Sequence, residues 1–289
     1  MPMLQTPPYT RLSGYHPVIV VGMHRSGTSL LCRLLDQLGV HLGADQGPIN
    51  AESRHFRALN ERVLHAAGGR WNEPAPVLAA LESADFRQTW MAHLRNHMLS
   101  GWGGLRYWGR NLWLALRQGA APPPWGWKDP RTSLTLVLWL GIFPQAHVVH
   151  IIRNGIDVAI SLYRRQLAQT RRWRVHPDHR DPRGYDFRFC FSLWVHYQQH
   201  LLAFRDVVAP DRYFEFRYEI LLREPETTLR ALAGQIGLSV SDNHLAEVAA
   251  MINPGRLDNR THAQSYREFI PELTAHPLMQ ALGYDDYPL

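Results

Sequence analysis

Residues 16–35, with the sequence HPVIVVGMHRSGTSLLCRLL, constrain the fold more than any other stretch of the chain. The β-branched run VIVV at positions 18–21 has the composition and length of a buried parallel strand. Gly22 and Gly27 follow, where the backbone has to turn sharply. Leucines then recur at helical spacing, at positions 30, 31, 34, 35 and 38. A strand, a glycine turn and a helix predict a loop whose N–H groups and helix end face an anion.

The spacing from Gly22 to Gly27 matches the G-x-x-x-x-G of a Walker phosphate-binding loop. A nucleoside triphosphatase continues with Lys and then Ser or Thr, whereas this chain continues with Thr28 and Ser29. The lysine that reaches the β- and γ-phosphates is therefore missing, and the cation within the loop is Arg25. This loop suits a phosphate but lacks the usual contacts to a triphosphate.

A second pattern of the same kind lies near the middle of the chain. Residues 146–152, AHVVHII, predict another parallel strand, and Arg153 stands at its end. The planar guanidinium is a fork that suits a phosphate group. Ser161 follows eight residues later on a predicted helix and offers a hydroxyl to the same anion. A strand-end ion pair for Arg153 and an inert Ser161 are the structural alternative.

Together these stretches resemble the sulfotransferase family in its bacterial form, whose donor is 3′-phosphoadenosine 5′-phosphosulfate (PAPS). The resemblance implies a P-loop fold, a 5′-phosphosulfate site at the first loop and a 3′-phosphate site at Arg153 and Ser161. The donor-binding residues that it assigns to the first loop are His24, Arg25, Ser26, Gly27, Thr28 and Ser29. The stretches WKDPR (127–131) and YEILL (218–222) are also similar to the family, and we expect the second to be structural support.

Glu52 is the candidate catalytic base. Family members carry Glu, Phe and a Leu-Asn pair in that order, and this chain has Glu52, Phe56, Leu59 and Asn60. A carboxylate at a helix start, one loop from the phosphosulfate, is placed to take a proton from an acceptor hydroxyl. Its structural alternative is to complement the helix dipole. His24 and His55 are the alternative bases, with plain roles in shaping the loop and on a surface turn.

Lys128 and Arg25 complete the candidate catalytic set. Lys128 is the only lysine of the chain and ends a short predicted strand, at the edge where α/β folds place ligands. There it shares the negative charge of a sulfonate or orients Asp129; its alternative is an ion pair with Asp129. We expect Arg25, with the amides around Gly27, to stabilise the leaving phosphate.

The length of 289 residues suits a single α/β domain, which we place at residues 16–289 after a flexible tail of residues 1–15. We expect a three-layer α/β/α fold with a central parallel sheet. Residues 70–124 are rich in Trp and predict a helical cap on the acceptor side, with breaks at glycines 101–104 and prolines 122–124. Aromatic core is the alternative for Trp102, Tyr107, Trp108 and Trp113.

A net charge of +6 and a pI near 9.6 favour anionic ligands. Residues 164–188 are rich in Arg and include Trp173 and Tyr185, which fits a nucleic-acid surface, a lid over the donor or a solvated loop. The competing functions are a P-loop nucleotide kinase or hydrolase, and a basic nucleic-acid-binding module. We expect a cytoplasmic enzyme that uses PAPS and a small-molecule or glycan acceptor, with no metal, no nucleic acid and no membrane span.

Overall fold

The structure, a computed structural model, describes residues 16–98, 101–171, 186–253, 255 and 263–287. The predicted tail at 1–15 lies outside the described residues, and so does the part of the basic run that contains Trp173 and Tyr185. None of the described helices is long and apolar enough to cross a membrane.

The described strands form one parallel sheet with the order β2-β1-β3-β4. The strands are β1 (Val18–Val21), β2 (Gly126–Lys128), β3 (His147–Ile152) and β4 (Tyr213–Arg217). Ile19 lies opposite Trp127 on one side and Val148 on the other, so β1 is hydrogen-bonded along both edges. The chain passes from β1 to one side and then returns to the other, which creates a crevice at the carboxyl ends of these strands.

Two groups of helices cover the two faces of the sheet. The first group contains α2 (Arg54–Ala66), α3 (Pro74–Glu82), α4 (Ala84–His97), α5 (Gly101–Trp108), α6 (Arg110–Arg117), α7 (Thr132–Ile142), α8 (Gly155–Arg171) and α9 (Phe187–Leu202). The second contains α1 (Thr28–Gln37), α10 (Tyr218–Arg223), α11 (Pro225–Gln235) and α12 (Asp242–Ala250). Two short helices near the C-terminus, α13 (Ile270–Thr274) and α14 (Pro277–Ala281), pack with the first group.

Side chains that alternate along β1 enter two separate cores. Ile19 and Val21 belong to the core beneath the first group of helices, whereas Val18 and Val20 belong to the core beneath the second. Because successive residues of a strand point to opposite faces, this division places the sheet between two helical layers. The predicted three-layer α/β/α fold with a central parallel sheet is confirmed.

The Trp-rich segment at 70–124 is helical, and most of its aromatic side chains are core. Tyr107, Trp108 and Trp113 are buried, whereas Trp102 is 80% exposed. Residues 101–104 do not interrupt helical structure as predicted but form the first turn of α5. Gly103 packs so closely on the His55 ring that a Cβ would clash. No described residue of this segment lines the cleft described below, and its role toward an acceptor stays a prediction.

The side chain of Asn60 ties α2 to α7 and to the end of β2. It is fully buried, and its amide nitrogen donates to Asp129 Oδ2 (2.9 Å) and Thr132 Oγ1 (2.8 Å). Its oxygen accepts from Thr135 Oγ1 (2.7 Å) and Trp139 Nε1 (2.9 Å). An amide has two donor hydrogens and two acceptor lone pairs, so every one is used.

Replacing Asn60 with Leu keeps the number and branching of the side-chain heavy atoms but removes all four hydrogen bonds. We expect Asn60→Leu to lower the free energy of unfolding by about 3 to 5 kcal/mol, because buried polar partners lose their bonds. Urea denaturation measures this change. The control is Asn111→Leu at an exposed position of α6, where we expect a change within about 0.5 kcal/mol. Equal losses in the two variants would contradict the role given to Asn60.

Candidate functional site

A cleft of about 230 Å³ lies at the carboxyl ends of the four strands. The loop after β1 forms one wall, and the strand ends or following turns of β2, β3 and β4 contribute Lys128, Arg153 and Tyr218. The loop between α1 and α2 closes the cleft with Ile49, Asn50 and Glu52. Parallel strands therefore bring together residues that are far apart in the sequence, as expected at this edge of an α/β sheet.

The loop after β1 follows a path that needs both of its glycines. A Cβ on Gly22 would lie 2.7 Å from the carbonyl oxygen of Ile151, and a Cβ on Gly27 would overlap the ring of Tyr218. Both glycines also have positive φ, at 149° and 95°. Ser133 holds the start of the loop, because it accepts from the Gly22 N–H (3.0 Å) and donates to the Gly22 carbonyl (3.1 Å).

The two predicted anion-binding motifs are in direct contact. Arg25 adopts a left-handed backbone conformation (φ 73°), and its Nε–H donates to Ser161 Oγ at 2.9 Å. Arg153 in turn donates from a terminal nitrogen to the Arg25 carbonyl at 3.2 Å. The first loop and the Arg153–Ser161 element are therefore in contact, with the Ser161 hydroxyl bonded to the loop arginine. Arg153 lines the cleft, whereas Ser161 does not, and their shared role toward an anion stays a prediction.

The guanidinium of Arg153 is only partly satisfied by the described residues. One terminal nitrogen donates to Asp157 Oδ2 at 3.3 Å, and the group lies 4.9 Å from the centre of the Tyr218 ring. Its Nε is buried and has no hydrogen-bond partner among the described residues. A buried cationic donor without a partner is costly, so the group is poised to bind an anion.

Glu52 and Lys128 face each other in the cleft. Lys128 is almost fully buried, and its Nζ lies 3.5 Å from Glu52 Oε1. The same ammonium donates to the Asn50 carbonyl (2.6 Å) and to Ser29 Oγ (3.3 Å). Ser53, not Glu52, caps α2 by accepting from the backbone of the first turn. Glu52 thus lies before the helix, beside the one lysine.

The alternative role of Lys128, a contact with Asp129, is not formed among the described residues. The carboxylate of Asp129 accepts from Arg131 at 2.8 Å and from Asn60 at 2.9 Å. Successive residues at the end of a strand point in opposite directions, so Lys128 enters the cleft and Asp129 enters the buried network on the other side.

The remaining residues of the first loop differ in their exposure to the cleft. Thr28 and Ser29 line it, and Ser29 Oγ donates to the Asn50 carbonyl at 2.7 Å. Ser26 is fully buried, does not line the cleft, and its hydroxyl has no partner among the described residues. The loop therefore offers hydroxyls at Thr28 and Ser29, with Ser26 behind them.

His24 lines the cleft and is uncharged at neutral pH. Burial, followed by the positive charges of Arg131 and Arg165, lowers its pKa well below the ordinary value of a histidine. Its ring packs 4.6 Å from the ring of Trp71. The other alternative base, His55, does not line the cleft, because its ring nitrogen bonds the carbonyl of Met98.

Sequence reasoning did not assign Arg165 or Tyr218 to the cleft, although both line it. Arg165 lies one helical turn after Ser161 on α8 and lines the cleft. Burial and the nearby charge of Arg25 lower its pKa, and no ion pair to it is formed among the described residues. Tyr218, expected only as structural support, packs against Gly27 and beneath Arg153. Arg165 could have been found from its position four residues after Ser161, on the same face of the helix. Tyr218 could have been found because it directly follows the fourth strand, at the edge of the sheet where ligands bind.

The cleft carries a strong excess of positive charge. Among its described lining residues, Glu52 is the one carboxylate. The cations that line it are Arg25, Arg33, Lys128, Arg153 and Arg165. Burial and then the charge of Arg153 lower the pKa of Arg25, as expected where like charges are held together. Within the described ranges, no three His, Cys, Asp or Glu side chains are grouped to hold a metal ion. The field in this cleft favours a multiply charged anion.

Known proteins resemble the chain over part or most of its length. It is 33% identical over 112 residues to the omega-hydroxy-beta-dihydromenaquinone-9 sulfotransferases Stf3 of Mycobacterium bovis and Mycobacterium tuberculosis. That match covers 38% of this chain and 28% of each relative, so the chain spans under a third of the length of those relatives.

Solved structures align over more of the chain at lower identity. The sulfotransferase domain from the curacin biosynthetic pathway is 16% identical, with 84% of this chain and 86% of that chain covered and a TM-score of 0.47. A sulfotransferase from Alicyclobacillus acidocaldarius is 15% identical, with 94% and 97% covered and a TM-score of 0.48. Mouse sulfotransferase SULT7A1, solved in complex with PAP, is 13% identical, with 85% and 67% covered and a TM-score of 0.43.

A model of the sulfotransferase family matches residues 17–242. This range contains both predicted anion-binding motifs and every residue named above as a candidate for binding or catalysis. Because the match spans well over half of the chain, the chain belongs to the sulfotransferase family.

Proposed function

We propose that this sulfotransferase transfers a sulfuryl group from PAPS to the hydroxyl of a small-molecule or glycan acceptor. The observation that carries the proposal is the contact between the two loops, in which Arg153 bonds the Arg25 carbonyl and Arg25 bonds Ser161. One cleft thereby presents two sets of anion-binding groups to a single ligand. When bound, the donor supplies a sulfuryl group attached to a phosphate that leaves readily.

The charge of the cleft supports a donor of this kind. Its five lining cations and one carboxylate leave a formal surplus of four positive charges. A nucleotide with a phosphosulfate and a separate phosphate carries about four negative charges at neutral pH. Among the described residues the Nε of Arg153 has no hydrogen-bond partner and Arg165 forms no ion pair, so such a ligand would satisfy both groups. Side chains can therefore balance the donor charge.

Separate parts of the cleft would hold the two ends of the donor. We assign the 5′-phosphosulfate to residues 24–29, where α1 begins with its positive end toward the cleft. Arg153 and Ser161 take the 3′-phosphate. Arg25, the hydroxyls of Thr28 and Ser29 and the loop amides stabilise the negative charge that grows on the leaving phosphate.

Glu52 is the base in this proposal. It takes the proton of the acceptor hydroxyl while the acceptor oxygen bonds to sulfur and the sulfur–phosphate oxygen bond breaks. Lys128, whose Nζ lies 3.5 Å from this carboxylate, shares the negative charge of the sulfonate oxygens. His24 is the one alternative base that lines the cleft.

The acceptor class is drawn from the family and from the partial relatives. The mycobacterial proteins are named for a hydroxylated menaquinone, a small molecule that presents a hydroxyl group. We propose a hydroxylated acceptor here as well. Incubation with sulfur-labelled donor and a panel of alcohols, phenols and glycans would identify it.

Titration calorimetry distinguishes the three functions that the sequence left open. We expect adenosine 3′,5′-bisphosphate to bind without magnesium, and Arg153→Ala to weaken it by about 100-fold, because a buried cation is lost. The control is Arg188→Ala, which removes an exposed ion pair with Glu272 and leaves affinity unchanged. Binding of magnesium ATP with no preference for a 3′-phosphate would favour a kinase or hydrolase. Binding of an oligonucleotide alone would favour a nucleic-acid module.

Removal of the carboxylate at position 52 separates binding from chemistry. We expect Glu52→Gln to bind adenosine 3′,5′-bisphosphate as the wild type does but to transfer sulfuryl groups about 10² to 10⁴ times more slowly. Single-turnover transfer from labelled donor measures the rate. Glu82→Gln, at an exposed position of α3, is the matched control with an unchanged rate. A normal rate in Glu52→Gln would transfer the role of base to His24.

Arg25 is tested best by glycine, which adopts a positive φ without strain. We expect Arg25→Gly to slow transfer by about 10² to 10³ through loss of charge stabilisation. Thermal unfolding should stay near that of the wild type, which separates this loss from misfolding. The control is Arg110→Ala at an exposed position of α6, where glycine would weaken the helix, and its transfer rate should be unchanged. An unchanged transfer rate in Arg25→Gly would remove Arg25 from the mechanism.

A further inference from the structure

The last described residues return to the turn that carries Arg153. Residues 284–287, here called the C-terminal strap, follow α14 without regular structure. Tyr284 donates its hydroxyl hydrogen to Glu219 Oε2 at 2.8 Å, and Tyr287 donates to Asp157 Oδ1 at 2.7 Å. Neither tyrosine lines the cleft, yet both bond carboxylates that contact the Arg153 turn.

Tyr287 acts on Arg153 through Asp157. The two oxygens of the Asp157 carboxylate bond different residues. Oδ1 accepts from Tyr287, and Oδ2 accepts from Arg153 at 3.3 Å. A carboxylate with both oxygens available tends to take two nitrogens of one guanidinium. With Oδ1 engaged, Asp157 holds a single terminal nitrogen, and the Nε of Arg153 is left without a partner among the described residues. The arginine is thus oriented but still able to donate to an anion.

Tyr284 acts on the same turn from the other side through Glu219. Glu219 Oε1 accepts from the backbone N–H of Asn154 at 3.0 Å, directly after Arg153. Asn154 Oδ1 then accepts from the N–H of Ile156, which fixes the first turn of α8. The strap therefore restrains both the side chain of Arg153 and the backbone that carries it.

Both strap hydroxyls stay protonated at neutral pH. Burial, and then the charge of Glu219, raises the pKa of Tyr284 above the ordinary value. Burial and the charge of Asp157 do the same to the pKa of Tyr287. Each tyrosine is accordingly a permanent donor to its carboxylate.

We propose that Tyr287 and Tyr284 are positioning residues, which act through Asp157 and Glu219 to keep Arg153 open for the 3′-phosphate of the donor. The proposal rests on the proposed function, in which Arg153 binds that phosphate. It predicts that an intact C-terminal strap is required for tight binding of the nucleotide but contributes little to the chemical step.

Calorimetry of Tyr287→Phe with adenosine 3′,5′-bisphosphate tests the proposal. We expect an affinity loss of about 10-fold, because Asp157 can now take two nitrogens of Arg153. The KM for PAPS should rise by a similar factor with kcat nearly unchanged. Tyr213→Phe is the matched control, since its hydroxyl bonds His150 (2.9 Å) and the Leu201 carbonyl (3.1 Å) instead of this turn. Affinity in the control should equal that of the wild type.

Adenosine 5′-phosphate, which lacks the 3′-phosphate, separates positioning from a general loss of stability. We expect Tyr287→Phe to leave its affinity unchanged, because Arg153 has no phosphate to hold in that ligand. Tyr284→Phe should show the same selective loss for the bisphosphate and provides a second test should Tyr287→Phe fold poorly.

The outcomes keep the two proposals apart. Failure of the wild type to bind the bisphosphate would overturn the proposed function, and the strap proposal with it. Tight binding by the wild type and by both strap variants would overturn the strap proposal alone. Equal losses for the bisphosphate and for adenosine 5′-phosphate would assign the strap a structural role and would also overturn it.

Discussion

The hydrogen bond from Arg153 to the carbonyl oxygen of Arg25 is the contact around which the site is built. It joins the loops that follow the neighbouring strands β1 and β3. It also holds the guanidinium groups of Arg25 and Arg153 in one cleft, although their like charges repel each other. The left-handed backbone of Arg25 and the lack of a side chain at Gly27 make the contact possible. Concentrating polar and positively charged groups here costs folding free energy, and binding of an anion reduces that cost.

A second hydrogen-bond network, centred on the neutral side chain of Asn60, supports the opposite wall of the cleft. Asn60 satisfies all of its hydrogen-bonding capacity within the core and holds Asp129 away from Lys128. Lys128 is therefore free to face Glu52 across the cleft instead of pairing with its sequence neighbour. The alternation of side chains at the end of β2 places Lys128 in the cleft and Asp129 in the buried network. The hydrogen bond from the buried Asn60 amide to Asp129 therefore helps to determine that Lys128 lies beside Glu52.

Much of the site was predictable because its two main parts are local. Strand, glycine turn and helix lie within 16–35, and a second strand with Arg153 and Ser161 lies within 146–161, so hydrophobic period and turn residues revealed both. The glycines at 101–104 misled, since a helix begins there where the close approach of His55 excludes a side chain at Gly103. Tyr218 and Arg165 were missed as cleft residues because their part in the site depends on how distant elements pack.

The amino-acid sequence by itself determined the parallel strands, the phosphate-type loop, the positive charge and the likeness to sulfotransferases, because each depends on residues near one another in the chain. The tertiary structure decided which charges meet. It paired Lys128 with Glu52, bonded Arg25 to Ser161 and brought the strap tyrosines to the carboxylates beside Arg153. These contacts join residues up to 136 positions apart, and sheet order and helix packing, which no local pattern encodes, set the distances between them.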